Sequence, residues 1–247
     1  MRPPDADATV PNGNPIDAAQ ASVTRALSSH AAPRVIEAGC GARSHLRYPR
    51  TACVIGVDLV DAQLRRNTST PHLARGDVTA LPIAPACADL VVCWDVLEHL
   101  PHPALAIAEI ARVLRPGGLA VLALPNILSL KGLITRFTPW WFHVWVYRHV
   151  LGDTSAGTDA FDQFPTAFRF GLRPAGLRRL ARAHGLRVES LALYEGPVPT
   201  HFRRRHRLAD VALGAAGRLT RLLSAGRYDT TLSDMVVVLS RDGGRLA

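Results

Sequence analysis

Lysine is nearly missing from this 247-residue chain: Lys131 is the only one among 29 basic side chains, and the rest are arginine. The formal charge is nevertheless +9 and the pI about 10.4. So one-sided a basic composition reads first as a solvated arginine surface. It leaves open an anionic substrate, a membrane surface or nucleic acid as partners that such a field would favour. No RNA-binding module accompanies the arginine runs, so nucleic acid is the weakest of these. Cysteine is also sparse, at positions 40, 53, 87 and 93, and none of the four has the spacing of zinc ligands. Reduced, partly buried thiols are expected, and no metal. No apolar run approaches the ~18 residues needed to cross a bilayer. The opening Met1 to Asp7 lacks a charged-then-apolar leader pattern. A cytoplasmic protein is therefore expected, with peripheral contact at a membrane left open. Internal repeats and low-complexity stretches are missing too, so one domain with insertions is the expectation for this length.

What is present is a series of short apolar segments separated by glycine and acidic punctuation. Pro33 to Ala38 reads as a short buried strand that ends in Gly39-Cys40-Gly41. There the chain must turn sharply and a ligand can approach the backbone. A second strand, Ala52 to Val57, ends in Asp58, 19 positions after Gly39. A carboxylate at that distance, on the tip of the second strand, can accept hydrogen bonds from both hydroxyls of a ribose. A third element follows over Arg75 to Pro82, with Asp77 inside it. Then come a fourth strand at Ala88 to Cys93 and the segment Trp94-Asp-Val-Leu-Glu-His-Leu100. Pro101 to Leu114 has the apolar spacing of an amphipathic helix closed by Pro116-Gly117-Gly118, and Leu119 to Leu124 reads as strand five. Upstream, residues 1 to 15 form a polar tail. Ile16, Ala19, Val23 and Leu27 define one face of a helix. Downstream, the periodicity predicts a basic helix at Pro174 to His184, strands at Leu186 to Leu193 and Asp234 to Ser240, and between them a helix from about Leu208 to Ser224.

Between strand five and the basic helix lies an insertion, about residues 127 to 170. Ile127 to Phe137 is apolar, followed by Trp140, Trp141, Phe142, Trp145 and Tyr147, and then by a polar, glycine-containing stretch to Gln163. So much aromatic surface in few residues predicts extra core, a lid over an acceptor with apolar or sugar-like surface, or a membrane contact.

Taken together, Glu37-Ala-Gly39-Cys40-Gly41, Asp58, Asp77, Asp89-Leu-Val-Val and Leu97-Glu98-His99 resemble the class I S-adenosylmethionine (SAM)-dependent methyltransferases, over roughly residues 33 to 126. The resemblance implies an α/β, Rossmann-like seven-stranded sheet with helices on both faces and its last strand antiparallel. Residues 1–32 would form a tail and helix, and 33–247 the methyltransferase domain. It also implies SAM as cofactor and S-adenosylhomocysteine as product. Glu37 would lie near the ammonium, Gly39, Cys40 and Gly41 along the amino-acid tail, and Asp58 at the ribose. Leu59 would lie under the adenine, Asp77 and Val78 at its edge, and Trp94 and His99 in the loop over the cofactor. The chain departs from the family pattern at Arg43, where a third glycine is frequent.

A nicotinamide cofactor is the rival for a glycine turn before a ribose-binding acid. Its G-x-G-x-x-G fingerprint would need glycine at Ser44, and it would leave Leu97-Glu98-His99 without a role. Strand four runs into Cys93-Trp94-Asp95-Val96 rather than Asn-Pro-Pro-Tyr/Phe, which argues against methylation of base or amide nitrogens. Methyl transfer from a sulfonium needs chiefly alignment, and a hydroxyl acceptor also needs its proton removed. His143 and His149, in the aromatic insertion, are the candidate bases. The expected activity is O-methylation of a small-molecule, glycan or lipid-linked acceptor. A nucleic-acid methyltransferase or binder, and a non-catalytic SAM-binding partner protein, stand as alternatives.

Overall fold

The computed structural model describes residues 14–149, 170–205, 207–226 and 228–243. The chain opens with helix α1 (Pro15–Leu27). Its start is set by Asn14, whose side-chain oxygen accepts from the Ile16 N–H, and by Pro15 in the first turn. Asn at the N-cap satisfies a free N–H, and Pro at the next position gives none up. Strands β1 (Arg34–Ala38), β2 (Cys53–Asp58), β3 (His72–Arg75), β4 (Ala88–Trp94) and β5 (Leu114–Pro125) follow, with α2 (Asp61–Arg66) and α3 (Pro103–Val113) between them. After β5 come α4 (Leu130–Phe137), α5 (Trp140–His149), α6 (Pro174–Ala183), β6 (Leu186–Tyr194), α7 (Pro197–Arg205), α8 (Arg207–Leu223) and β7 (Asp234–Arg241).

The seven strands form one sheet in the order β3-β2-β1-β4-β5-β7-β6. β1 to β5 pair in parallel, and β7 runs antiparallel between β5 and β6. This is the expected Rossmann-like sheet with an antiparallel last strand. The central strands are apolar on both faces, as a sheet covered on both sides requires. Every residue of β4 from Ala88 to Cys93 is buried. One face packs Ala19, Val23 and Leu27 of α1 against Val35, Leu90, Val92, Val121 and Val238. The other packs Ile107 and Ile110 of α3 and Leu177 and Ala181 of α6 against Ile36, Val91, Leu122 and Val237.

Several boundaries differ from the sequence expectation for local reasons. α2 stops at Arg66. Asn67 leaves the helical region and turns its Oδ1 to the Ser69 and Thr70 N–H groups. β5 begins at Leu114, five residues early, and Pro116-Gly117-Gly118 is carried as an irregularity between the Ala88–Leu114 and Leu90–Leu119 pairs. Gly117 takes φ +80° there. The third strand is His72–Arg75, and the expected segment from Arg75 onward is mostly the loop that follows it. Of the insertion, α4 and α5 are described, and the stretch 150–169 lies outside the described residues.

Candidate functional site

The parallel strands all end on one edge of the sheet. β1 sits between β2 and β4, where the strand order reverses direction, and a crevice opens beyond that point. Its floor is the glycine turn. Gly39 takes φ +76° and donates its N–H to the Val57 carbonyl at 2.7 Å. A methyl group placed on it would sit 2.3 Å from Val96 Cγ2, so the position excludes any side chain. Gly41 also has positive φ, +52°, but a methyl there would meet nothing within 4 Å. The backbone of the turn is therefore bare toward the crevice.

The turn is held in shape before any ligand arrives. Asp58 Oδ2 accepts from the Gly41 N–H at 2.9 Å, and Asp58 Oδ1 accepts from the Val60 N–H at 2.9 Å. The Asn67 side-chain amide donates to the Gly41 carbonyl at 2.9 Å. Gln20 of α1 makes two bonds with the Arg47 backbone, which ties α1 to the segment after the turn. Behind the turn, Glu37 is buried. Its Oε1 accepts from the Tyr48 hydroxyl at 2.8 Å, and its Oε2 from the Ser44 and Thr70 hydroxyls at 2.9 and 2.7 Å. Among the described residues no cation pairs with it. A buried carboxylate bonded only to neutral hydroxyls is a place where a cation brought in by a ligand would find a charge-assisted partner.

The cavity at this edge has a volume of about 380 Å³ and is lined by Gly39, Cys40, Gly41, Asp58, Leu59, Asp77, Val78, Trp94 and His99, among others. That size falls in the usual range for sites that take a nucleotide-sized ligand. Nine of the ten residues expected at the cofactor thus share one lining, and Glu37 lies behind it. Leu59 is 58% exposed, an apolar side chain held open beside the cavity. Asp77 is exposed, with its Oδ1 accepting from the Thr79 N–H at 2.8 Å. Trp94 is half-buried and stacks on His45, with ring centroids 4.9 Å apart and 4° between planes. Desolvation, and then the Arg43 charge, pushes the His45 imidazole down to about 4, which keeps it neutral in the cavity wall. Burial, and then Asp58 and Glu37, pushes the Cys40 thiol up to about 12, which makes it inert.

Beyond Trp94 the lining turns acidic. Asp95 occupies the first position after β4 with φ +53°, in the left-handed region, where Asp is tolerated better than most residues. Its N–H donates to the Ala123 carbonyl at 2.9 Å, which anchors it to β5. The carboxylate keeps contact with solvent through the open side of the cavity. The surrounding protein still desolvates it and Asp234 lies near, and together these push it up to about 6 against the opposing charge of Lys131. Asp234 opens β7 in register with Pro125, the end of β5, and with Tyr194, the end of β6. Lys131 Nζ lies 3.6 Å from Asp234 Oδ1. The Tyr194 hydroxyl is shifted up by burial, then by Asp234 and Asp95. Glu98 is 3% exposed, with Oε2 lacking a partner and Oε1 3.8 Å from His99 Nε2. Burial, and then Asp95, raises its pKa well above the ordinary range.

Asp95 in the lining, with Asp234 and Tyr194 near it, is what sequence reasoning misses. Asp95 was within reach, as a carboxylate directly at the end of strand four. Asp234 and Tyr194 come near it only because the antiparallel β7 brings its first residue to the edge where β5 and β6 end. Of the two histidines expected as bases, His149 ends α5 on the surface and does not line the cavity. Its Nδ1 is 2.9 Å from the Trp145 carbonyl and its ring stacks on Trp145. His143 lies within α5, and its side chain is outside the described residues.

Comparison with known proteins agrees with this geometry. Residues 36–122 match the family described as a methyltransferase domain. The chain is 36% identical over 115 residues to a probable S-adenosylmethionine-dependent methyltransferase of Mycolicibacterium smegmatis, a match that spans 44% of each chain. It is 26% identical over 193 residues to the ubiquinone biosynthesis O-methyltransferase of Pseudomonas putida, covering 71% of this chain and 74% of that one. The fold is similar to that of geranyl diphosphate methyltransferase in complex with SAM. The TM-score is 0.53 at 14% identity, over 91% of this chain and 84% of that one. With the glycine turn, the acid at the tip of β2 and the antiparallel last strand in place, residues 36–122 carry a methyltransferase domain, and the chain around it is similar to class I SAM-dependent methyltransferases.

Proposed function

We propose that the protein methylates oxygen on a small or lipid-linked acceptor, and that Asp95 takes the proton from the acceptor hydroxyl. The observation that carries this is the position of Asp95: it is at the end of β4, in the cavity wall, beside the cofactor-side residues and facing Lys131, Tyr194 and Asp234. SAM supplies an electrophilic methyl group on a sulfonium. The bond from sulfur to carbon breaks as the bond from acceptor oxygen to carbon forms, which leaves S-adenosylhomocysteine and one proton. A carboxylate with pKa near 6 is mostly ionised at neutral pH and still basic enough to accept that proton, the balance a general base requires. Glu37 would balance the ammonium of the amino-acid tail, and Asp58 would accept from the ribose hydroxyls through lone pairs not used by Gly41 and Val60. Asp77 and Val78 would meet the adenine edge, with Leu59 beneath the ring. His149 and His143 are the secondary proposals for the base.

Two further points support an oxygen acceptor with apolar surface. Relatives matched over 74% of their length carry the name ubiquinone biosynthesis O-methyltransferase. In this chain, Trp141 and Trp145 of α5 are exposed and set beside Phe142. The test is transfer of labelled methyl from SAM into extracts of the native host, with mass identification of the product, repeated with Asp95→Asn. The expected result is a methyl ether or ester, formed ~10²–10⁴-fold more slowly by the variant while SAM affinity holds. A product methylated on nitrogen would refute the oxygen assignment, and an undiminished kcat in Asp95→Asn would refute the base.

A further inference from the structure

α8 is turned the wrong way round for a helix that serves only its own fold. Leu208, Val211, Leu219, Leu222 and Leu223 are between 55% and 88% exposed. Their spacing of three and four residues puts them on one stripe. The side turned to the protein is mainly small and polar, with Leu213 half-buried beside Gly217. Gly217 is buried, and a methyl group there would sit 2.6 Å from Thr231 Cγ2. Thr220 Oγ1 lies 3.3 Å from Thr230 Oγ1. No described residue covers the leucine stripe.

The charge around the stripe is of one sign. Arg207 and Arg218 flank it, and Arg204 and Arg205 of α7 are exposed just before it. Among the described residues no ion pair holds any of these four. The nearby acids are already engaged, Asp210 by Arg203 and Asp229 by Arg221. An amphipathic helix with its apolar face outward and unneutralised arginines along the rim matches an interface of acyl chains beneath phosphate headgroups. α8 has 17 residues, and no helix among the described residues is long and apolar enough to cross a membrane. The helix would therefore lie in the plane of the surface. A second copy of the chain fits less well, because this face would meet its own arginines with no acid to pair them.

We propose that the outward face of α8 docks the protein on an anionic membrane, with the leucines in the acyl boundary and Arg204, Arg205, Arg207 and Arg218 at the headgroups. This goes beyond the acceptor assignment and holds whichever acceptor is methylated. The test is co-sedimentation of the full chain with vesicles of phosphatidylglycerol and phosphatidylcholine in equal parts, against pure phosphatidylcholine, at low and high salt. The variants are Leu219→Gln/Leu222→Gln and Arg207→Gln/Arg218→Gln. Binding is expected to anionic vesicles only and to weaken with salt. It should fall about fivefold for each arginine neutralised and at least tenfold in the leucine variant. SAM affinity and Tm should stay at the wild-type values. Four results would overturn the proposal. The first is no sedimentation with anionic vesicles at low salt, and the second is undiminished binding by either variant. The third is a large fall in Tm in the leucine variant, which would mean that the stripe is packed by the chain itself. The fourth is a concentration-dependent dimer, seen by ultracentrifugation, that the leucine variant abolishes.

Discussion

Asp58→Ala tests the cofactor site most directly, because Asp58 is given two tasks. Its two oxygens staple the glycine turn to the start of α2 through the Gly41 and Val60 N–H groups, both at 2.9 Å. Asp58 also lines the cavity, where it is proposed to accept from the ribose hydroxyls. Both N–H groups are near solvent and can find water when the carboxylate goes, so the staple contributes at the low end for charged partners, about 1–2 kcal/mol in total. For a chain of this size that corresponds to a fall in Tm of about 2–8 °C. The ribose hydroxyls lose an acceptor in a largely desolvated place, which removes about 1–3 kcal/mol of binding, or roughly 5- to 150-fold in Kd. Scanning fluorimetry of the free protein reads the first effect, and calorimetry with SAM and S-adenosylhomocysteine reads the second. Asp58→Asn should recover part of each. Its one carbonyl oxygen can serve only one of the two N–H groups, and its amide would oppose the other donor to donor. A Tm loss with unchanged SAM affinity would show that Asp58 is a loop staple alone and refute the ribose assignment.

Gly39→Ala should weaken SAM binding at least tenfold and lower Tm, because φ +76° and Val96 Cγ2 at 2.3 Å both oppose a methyl group. Wild-type affinity measured by calorimetry would contradict that geometry. The pH profile of kcat/KM should rise through an apparent pKa near 6 and flatten above it, since Asp95 must be ionised to accept a proton. A profile still falling toward low pH in Asp95→Asn would assign that limb to another group. Glu98 is raised above its ordinary 4.5, so the folded state holds a proton there that the unfolded state releases. Stability from this group is complete below 4.5 and is lost as pH rises toward the folded value. Glu98→Gln should therefore gain a few degrees of Tm over wild type at about pH 8 and little at about pH 5, and a constant difference would reject the buried acid as the cause. Trp145→Ala should raise acceptor KM or lower kcat with SAM affinity nearly unchanged if α5 covers the acceptor. Parallel losses of Tm and SAM affinity would instead place it in the core.

The strands were legible because a sheet buried on both faces must be written as unbroken apolar runs, and Val35 to Ala38, Ala88 to Cys93 and Met235 to Leu239 are such runs. The glycine turn and Asp58 were legible for a similar reason. A backbone that a ligand must approach tolerates no side chain, and the acid that answers it falls at a separation set by one loop and one strand. The acidic side of the cavity was not legible in that way. Asp95 and Asp234 are 139 positions apart in the chain. They meet only because β7 enters between β5 and β6 in the reverse direction, which puts its first residue where theirs are last. No local pattern encodes that adjacency, nor the shift of Asp95 to about 6, which arises from desolvation and from Asp234. α8 shows the limit most sharply. Its three-and-four spacing of leucines announces a helix with one apolar face, and periodicity alone predicts that such a face turns inward. Only the packed structure shows glycine and threonine against the protein and leucine facing out, because which side of a helix is buried is decided by the shape of what it packs against.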